Sequence, residues 1–118
     1  MSKLITNQTE LVEVCRSAAY WYVGSYMLEF LMWREQWENP DTKPAFIQYM
    51  FAEYGGGDNN ISGTRTRVNA MIRIIESRKV EEALELVLNT DDRKLGCAQA
   101  KINARETLMR LRNGQIKY

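Results

Sequence analysis

The chain has 118 residues, 45% hydrophobic and 26% charged, with a formal net charge of +1, two prolines and no histidine. That length and balance describe one domain with a real core, and the scarcity of proline favours helix over a turn-rich β architecture, so an all-α fold is expected. The absence of histidine removes the commonest general base, the usual triads and most transition-metal sites together, so a non-enzymatic protein without cofactor or metal is expected.

Asn7 and Glu10 have capping-box spacing ahead of the first apolar residues, which predicts a helix starting near Gln8. No strong breaker follows until Asn39 and Pro40, so this helix is expected to reach Glu38, a length of about 45 Å at 1.5 Å per residue. Leu11, Val14, Cys15, Ala18, Tyr22, Tyr26 and Trp33 share one face, while Tyr20, Trp21, Val23, Met27, Phe30, Leu31 and Trp37 cover much of the rest. A helix apolar on most faces needs cover. A second copy of the chain is the expected cover, with Tyr22, Tyr26, Phe30, Trp33 and Trp37 as interface residues; the alternative is wrapping by the chain's own helices, with Gly24 permitting a close crossing.

Asp41 or Thr42 can cap a second helix, with Pro44 in its first turn and Gly55 at its end; Phe46, Ile47, Met50, Phe51 and Tyr54 give it a helical recurrence. Residues 55–60, GGGDNN, then predict a flexible connection. Val68, Met71, Ile72 and Ile75 define a third helix that breaks near Arg78 and Lys79, and Val80, Ala83, Leu84, Val87 and Leu88 define a fourth. A last helix is expected from Asp91 or Asp92 to Arg112, with Cys97, Ala100, Ala104, Leu108 and Leu111 as its seam and Asn113, Gly114 and Ile116 as its stop. The expected architecture is thus a bundle of about five helices around one long aromatic-rich N-terminal helix, completed by a homo-oligomer.

Charge is unevenly spread. Residues 1–58 carry four basic and eight acidic side chains, whereas residues 59–79 carry five and one. The stretch GGGDNNISGTRTR places Arg65 and Arg67 at what reads as the first turn of a helix, where cations oppose the macrodipole unless an anion joins them. Ser62, Gly63, Thr64, Arg65, Arg67 and Arg73, with Lys101 and Arg105 from the last helix, are therefore the candidate ligand-binding residues for phosphate. The stretch lacks the Gly-Lys-Ser/Thr ending of a Walker loop, and Glu81, Glu82 and Glu85 oppose helix-turn-helix docking on DNA. The leading expectation is binding of a nucleic acid or a phosphate-bearing small molecule through the basic C-terminal half. The alternative is a protein-interaction module, an adaptor or inhibitor of a larger host or viral complex, whose opposed charge halves provide docking surfaces.

Cys15 and Cys97 form no CxxC pair, and the longest uncharged run, Ser17 to Leu28, is too short to span a bilayer. The N-terminal MSKLITNQTE has no apolar signal-peptide core. A reduced, cytoplasmic protein without membrane association is expected.

Overall fold

The spacing of Asn7 and Glu10 becomes a reciprocal cap in the computed structural model, which describes residues 4–55 and 60–116. Asn7 Oδ1 accepts the Glu10 N–H at 2.9 Å, and Asn7 Nδ2 donates to Glu10 Oε1 at 3.2 Å. The carboxylate returns to the cap's side-chain amide, a variant of the capping box that opens α1 (Gln8–Ala18).

The single helix expected over 8–38 is three: α1, α2 (Tyr20–Met32) and α3 (Arg34–Glu38). Ala19 makes the first break, at φ 76° and ψ 133°, with its N–H turned back to the Arg16 carbonyl at 3.1 Å. Alanine rarely adopts this region, because its Cβ crowds the backbone. Trp33 makes the second break, at φ −101° and ψ 23°. Leaving the helix there frees the Phe30 carbonyl, and the buried Trp37 indole N–H fills it at 2.8 Å. The bends have a packing result: α2 lies against α1, and also against α5 (Ile61–Glu76), α6 (Val80–Leu88) and α8 (Ala98–Arg112). Tyr22, Val23, Gly24, Met27, Phe30 and Leu31 of α2 are all buried. The cover expected from a second copy is therefore supplied within the chain.

The remaining elements follow the sequence more closely. Thr42 precedes α4 (Lys43–Tyr54), with Pro44 in its first turn, Gly55 at its end, and Phe46, Ile47 and Met50 buried. Of the connection expected over residues 55–60, residues 56–59 lie outside the described residues. Asn60 caps α5 by accepting the Ser62 N–H at 2.9 Å, and Val68, Met71, Ile72 and Ile75 are buried along it. Arg78, at φ 57°, turns the chain into α6, which buries Val80, Ala83, Leu84 and Val87. The expected last helix is interrupted: α7 (Asp92–Leu95) ends at Gly96, φ 68°, before α8 begins. Gly114, φ 73°, ends α8, its N–H donating to the Leu111 carbonyl and that of Gln115 to the Arg110 carbonyl. The described residues are all-helical or irregular, with eight helices instead of the expected five.

Candidate functional site

The residues expected to bind phosphate do not form one group. Because Asn60 is the cap, α5 begins at Ile61, and Arg65 and Arg67 lie beyond the first N–H groups instead of among them. The dipole conflict that motivated an anion is thereby reduced. Thr64 is buried, Gly63 half-buried, and Ser62 exposed, with its carbonyl accepting the Thr66 hydroxyl at 3.1 Å. Arg67 turns inward, its guanidinium carbon 5.5 Å from the Trp21 ring centroid and 5.9 Å from that of Tyr22. Arg73 faces Glu10 of α1, with Nη2 at 3.6 Å from Oε2.

Lys101 and Arg105 belong to another part of the surface. Lys101 Nζ is 2.6 Å from Asp92 Oδ1, and with Arg105 these residues line a depression beside Cys97 and Ile102. Asp92 is held below the usual carboxylate range, first by the Lys101 hydrogen bond, then by the Lys101 charge and more weakly by Arg105. Arg65 lines a separate depression with Lys43, Pro44 and Gln48. Helix α2, which packs against both α5 and α8, stands between the two sets.

The expected interface residues also divide. Tyr22, Phe30 and Trp37 are core residues of the single chain, at 1%, 0% and 3% exposure, and are not surface for a second copy. Their contacts are internal: Tyr22 meets Phe30 edge-on at 6.2 Å, and Phe30 meets Phe46 at 5.2 Å. Tyr26 is half-buried, and Trp33 alone of the five is exposed, at 47%.

Among the described residues, Trp33 anchors a surface cluster that combines exposed rings with an unfilled polar group. Met32 beside it is 68% exposed, and Tyr49 of α4, 40% exposed, lies 6.1 Å from it between ring centroids. Tyr49 meets Tyr54 edge-on at 6.2 Å, and Tyr54 stacks at 4.4 Å on Tyr26. The Tyr54 hydroxyl donates to Glu29 Oε1 at 3.4 Å. Glu29 precedes Trp33 by one turn and accepts its N–H on the backbone carbonyl, which closes the circuit Trp33, Tyr49, Tyr54, Glu29. Glu29 Oε2 is buried without a hydrogen-bond partner. Tyr54 is pushed above the ordinary tyrosine range, first by its hydrogen bond with Tyr49, then by burial and by the Glu29 charge. Burial, followed by the charges of Cys97 and Glu29, pushes Tyr26 the same way. These tyrosines stay neutral hydroxyls around a carboxylate.

The bend at Trp33 is what exposes this cluster. A continuous helix would have offered no sequence signal separating Trp33 from its buried neighbours. A signal did exist in α4, where Ala45, Tyr49 and Ala52 point outward while Phe46, Ile47 and Met50 point inward. An apolar residue set on both faces of a surface helix marks a second contact.

Neither thiol adds chemistry here. Cys15 is buried and pushed up to about 12 by desolvation, which disfavours its nucleophilic thiolate, and Cys97 is half-buried 4.0 Å from the Ser25 hydroxyl. Among the described residues no group of three His, Cys, Asp or Glu side chains is placed to hold a metal, and no helix is long and apolar enough to cross a membrane. No protein-family model, curated protein or solved structure matches this chain.

Proposed function

We propose that the protein is a non-catalytic interaction module that docks a partner protein on the corner formed by α2, α3 and α4. The observation that carries this reading is the contiguous exposure of Met32, Trp33 and Tyr49. Tryptophan, tyrosine and methionine are the residue types enriched where binding energy concentrates, and a soluble surface gains nothing by leaving them in water. The surrounding charge is acidic in excess: Arg34 and Glu38, which pair with each other, and Glu35 line the same depression as Met32 and Trp33, and Glu53 follows Tyr49 by one turn on α4. Neither Glu35 nor Glu53 has an ion-pair partner among the described residues. A partner with an apolar patch rimmed by basic side chains fits this arrangement.

The reading is tested by quantitative capture with the wild type and a Met32→Ser, Trp33→Ser, Tyr49→Ser variant, alongside an Arg65→Glu, Arg105→Glu variant. Loss of the same bound protein from the first variant and its retention by the second is the expected result. Retention by the first removes the aromatic corner as the docking surface.

Phosphate recognition is a second reading, favoured by the α7–α8 end. Arg93, Lys94 and Arg105 are exposed there and have no ion-pair partner among the described residues. A nucleic acid would be held by its backbone, so its affinity would fall steeply as salt rises. Lys94→Glu with Arg105→Glu would abolish that binding, and salt-independent binding would contradict it.

A further inference from the structure

Two of the three tryptophans in this chain already carry a guanidinium. Arg67 lies over Trp21 at 5.5 Å and Arg34 over Trp37 at 5.7 Å, each measured from the guanidinium carbon to the ring centroid. Trp33 carries no cation among the described residues and is 47% exposed. It also differs in having an unsatisfied carboxylate one turn away, since Glu29 Oε2 is buried without a hydrogen-bond partner.

An orphaned buried carboxylate oxygen loses hydration and gains nothing in return, so a donor that reaches it is strongly favoured. Among the described residues the Glu29 side chain is held by a single hydrogen bond, from Tyr54 at the long distance of 3.4 Å, which leaves Oε2 for an incoming donor. The residue as a whole is half-buried, and its side chain meets Tyr54, whose ring packs edge-on against that of Tyr49. Glu35 and Glu53 add negative charge at the rim.

We infer that this corner is the receptor for an arginine side chain of the partner protein, with the guanidinium lying on Trp33 and Tyr49 and donating to Glu29. Arginine suits the site better than lysine: its planar, weakly hydrated head stacks on aromatic faces while its edge still presents paired N–H donors to a carboxylate. A lysine ammonium could satisfy the carboxylate but would lose the stacking contact. This inference rests on the docking reading above and names the chemistry that the partner must present.

The test uses the full chain and three capped peptides, acetyl-Gly-Arg-Gly-amide, its lysine counterpart and its citrulline counterpart, which keeps the shape of arginine without its charge. Nitrogen–proton NMR spectra resolve the three indole N–H groups, and that of Trp37, bonded to the Phe30 carbonyl, serves as an internal reference. The expected result is a saturable shift of the Trp33 indole with the arginine peptide, weaker binding of the lysine peptide and no saturation with citrulline. Glu29→Gln should weaken arginine binding by about tenfold, the size of a lost charge-assisted hydrogen bond. Unchanged Trp21 and Trp37 signals show that this variant is folded; should they move, Trp33→Leu, at an exposed position, provides the same loss of binding, read from the arginine side-chain signals of the peptide. Equal binding of the citrulline and arginine peptides overturns the inference, as does the absence of any saturable Trp33 shift. If partner capture depends on Trp33 while the arginine peptide fails to bind, the docking surface stands and the guanidinium is the wrong ligand; if capture survives loss of Trp33, the surface itself is wrong.

Discussion

Helix α2 meets its neighbours in two different ways. Toward α8 it presents Gly24, where a Cβ would lie 2.7 Å from the Ala100 carbonyl oxygen and 2.8 Å from Val87 Cγ1 of α6. Ala100 and Ala104 are fully buried on the α8 side, and Asn103 Nδ2 donates to the Ser25 carbonyl at 3.2 Å. Toward α4 the contact is made by rings, Tyr26 on Tyr54 and Phe30 on Phe46, with centroids 4.4 Å and 5.2 Å apart. Small residues bring backbones together and leave no room for a ligand. Rings hold the helices apart, and their outer members, Trp33 and Tyr49, remain in solvent beside a carboxylate that is incompletely satisfied. One side of α2 is thus closed by small residues, while the other, although it buries Phe30 and Phe46, leaves aromatic surface in solvent.

The sharpest way to break this comparison is one substitution on each side. Gly24→Ala should destabilise the fold by about 2 kcal/mol, because the clash with the Ala100 carbonyl outweighs the roughly 1 kcal/mol that alanine adds to helix propensity. Trp33→Ser should cost less, about 1 kcal/mol, because about half of the residue is already in solvent, while removing partner binding. Denaturant unfolding of both variants reads the contrast directly. A Trp33→Ser loss as large as that of Gly24→Ala would make Trp33 a packing residue and sink the division.

The bend between the two sides should respond next. Trp37→Phe keeps an aromatic ring in the core but leaves the Phe30 carbonyl without the indole N–H that meets it at 2.8 Å. The cost is expected at about 1–2 kcal/mol, measured by thermal or denaturant unfolding, with a matching change in the Trp33 indole NMR signal because the bend sets its exposure. A cost near zero with an unmoved Trp33 signal would show that the bend does not depend on this bond. Ala19→Gly acts in the opposite direction. Glycine adopts φ 76° without the Cβ strain, and this relief, less the entropy of a more flexible unfolded chain, should stabilise the protein by about 1 kcal/mol.

The same two bends mark the limit of what the sequence disclosed. The helix starts at Asn7 and before Pro44, the buried series Val68, Met71, Ile72, Ile75, and the glycine stop at Gly114 were all legible, because each is written in local chemistry. The Gly24 crossing was legible as an option and became definite only with Ala100 opposite it. The break at Ala19 has no local mark, since alanine is the best helix former; long-range packing of α2 among four other helices overrides it there. The break at Trp33 likewise lacks proline or glycine. For the candidate site, the expected placement of Arg65 and Arg67 in a first turn depended on the position of one cap: with Asn60 as the N-cap, the arginines lie a turn into α5, and Arg67 meets Trp21 and Tyr22. Of the aromatic residues expected at an interface, Tyr22, Phe30 and Trp37 are core and Trp33 is exposed, a division that no local signal marked.

The smallest expected effect lies at the α7–α8 end, where, among the described residues, Lys101 is paired with Asp92 while Arg93, Lys94 and Arg105 are not paired. Asp92 is depressed below its ordinary pKa of about 3.9 chiefly by the Lys101 hydrogen bond. A carboxylate depressed in the folded state contributes stability above its unfolded pKa and loses it as the pH falls through the folded value. An NMR titration should therefore find the Asp92 midpoint below the usual range, and Lys101→Met should return it upward, Arg105 alone having the weaker influence. Asp92 is fully exposed, so the accompanying change in unfolding free energy should be slight, as for most surface ion pairs. The value of the measurement is the contrast it draws. If Lys101→Met leaves the Asp92 midpoint unmoved, the pair is not formed in solution, Lys101 joins Arg93, Lys94 and Arg105 as an available cation, and phosphate binding at this end gains the charge that the Asp92 contact otherwise occupies.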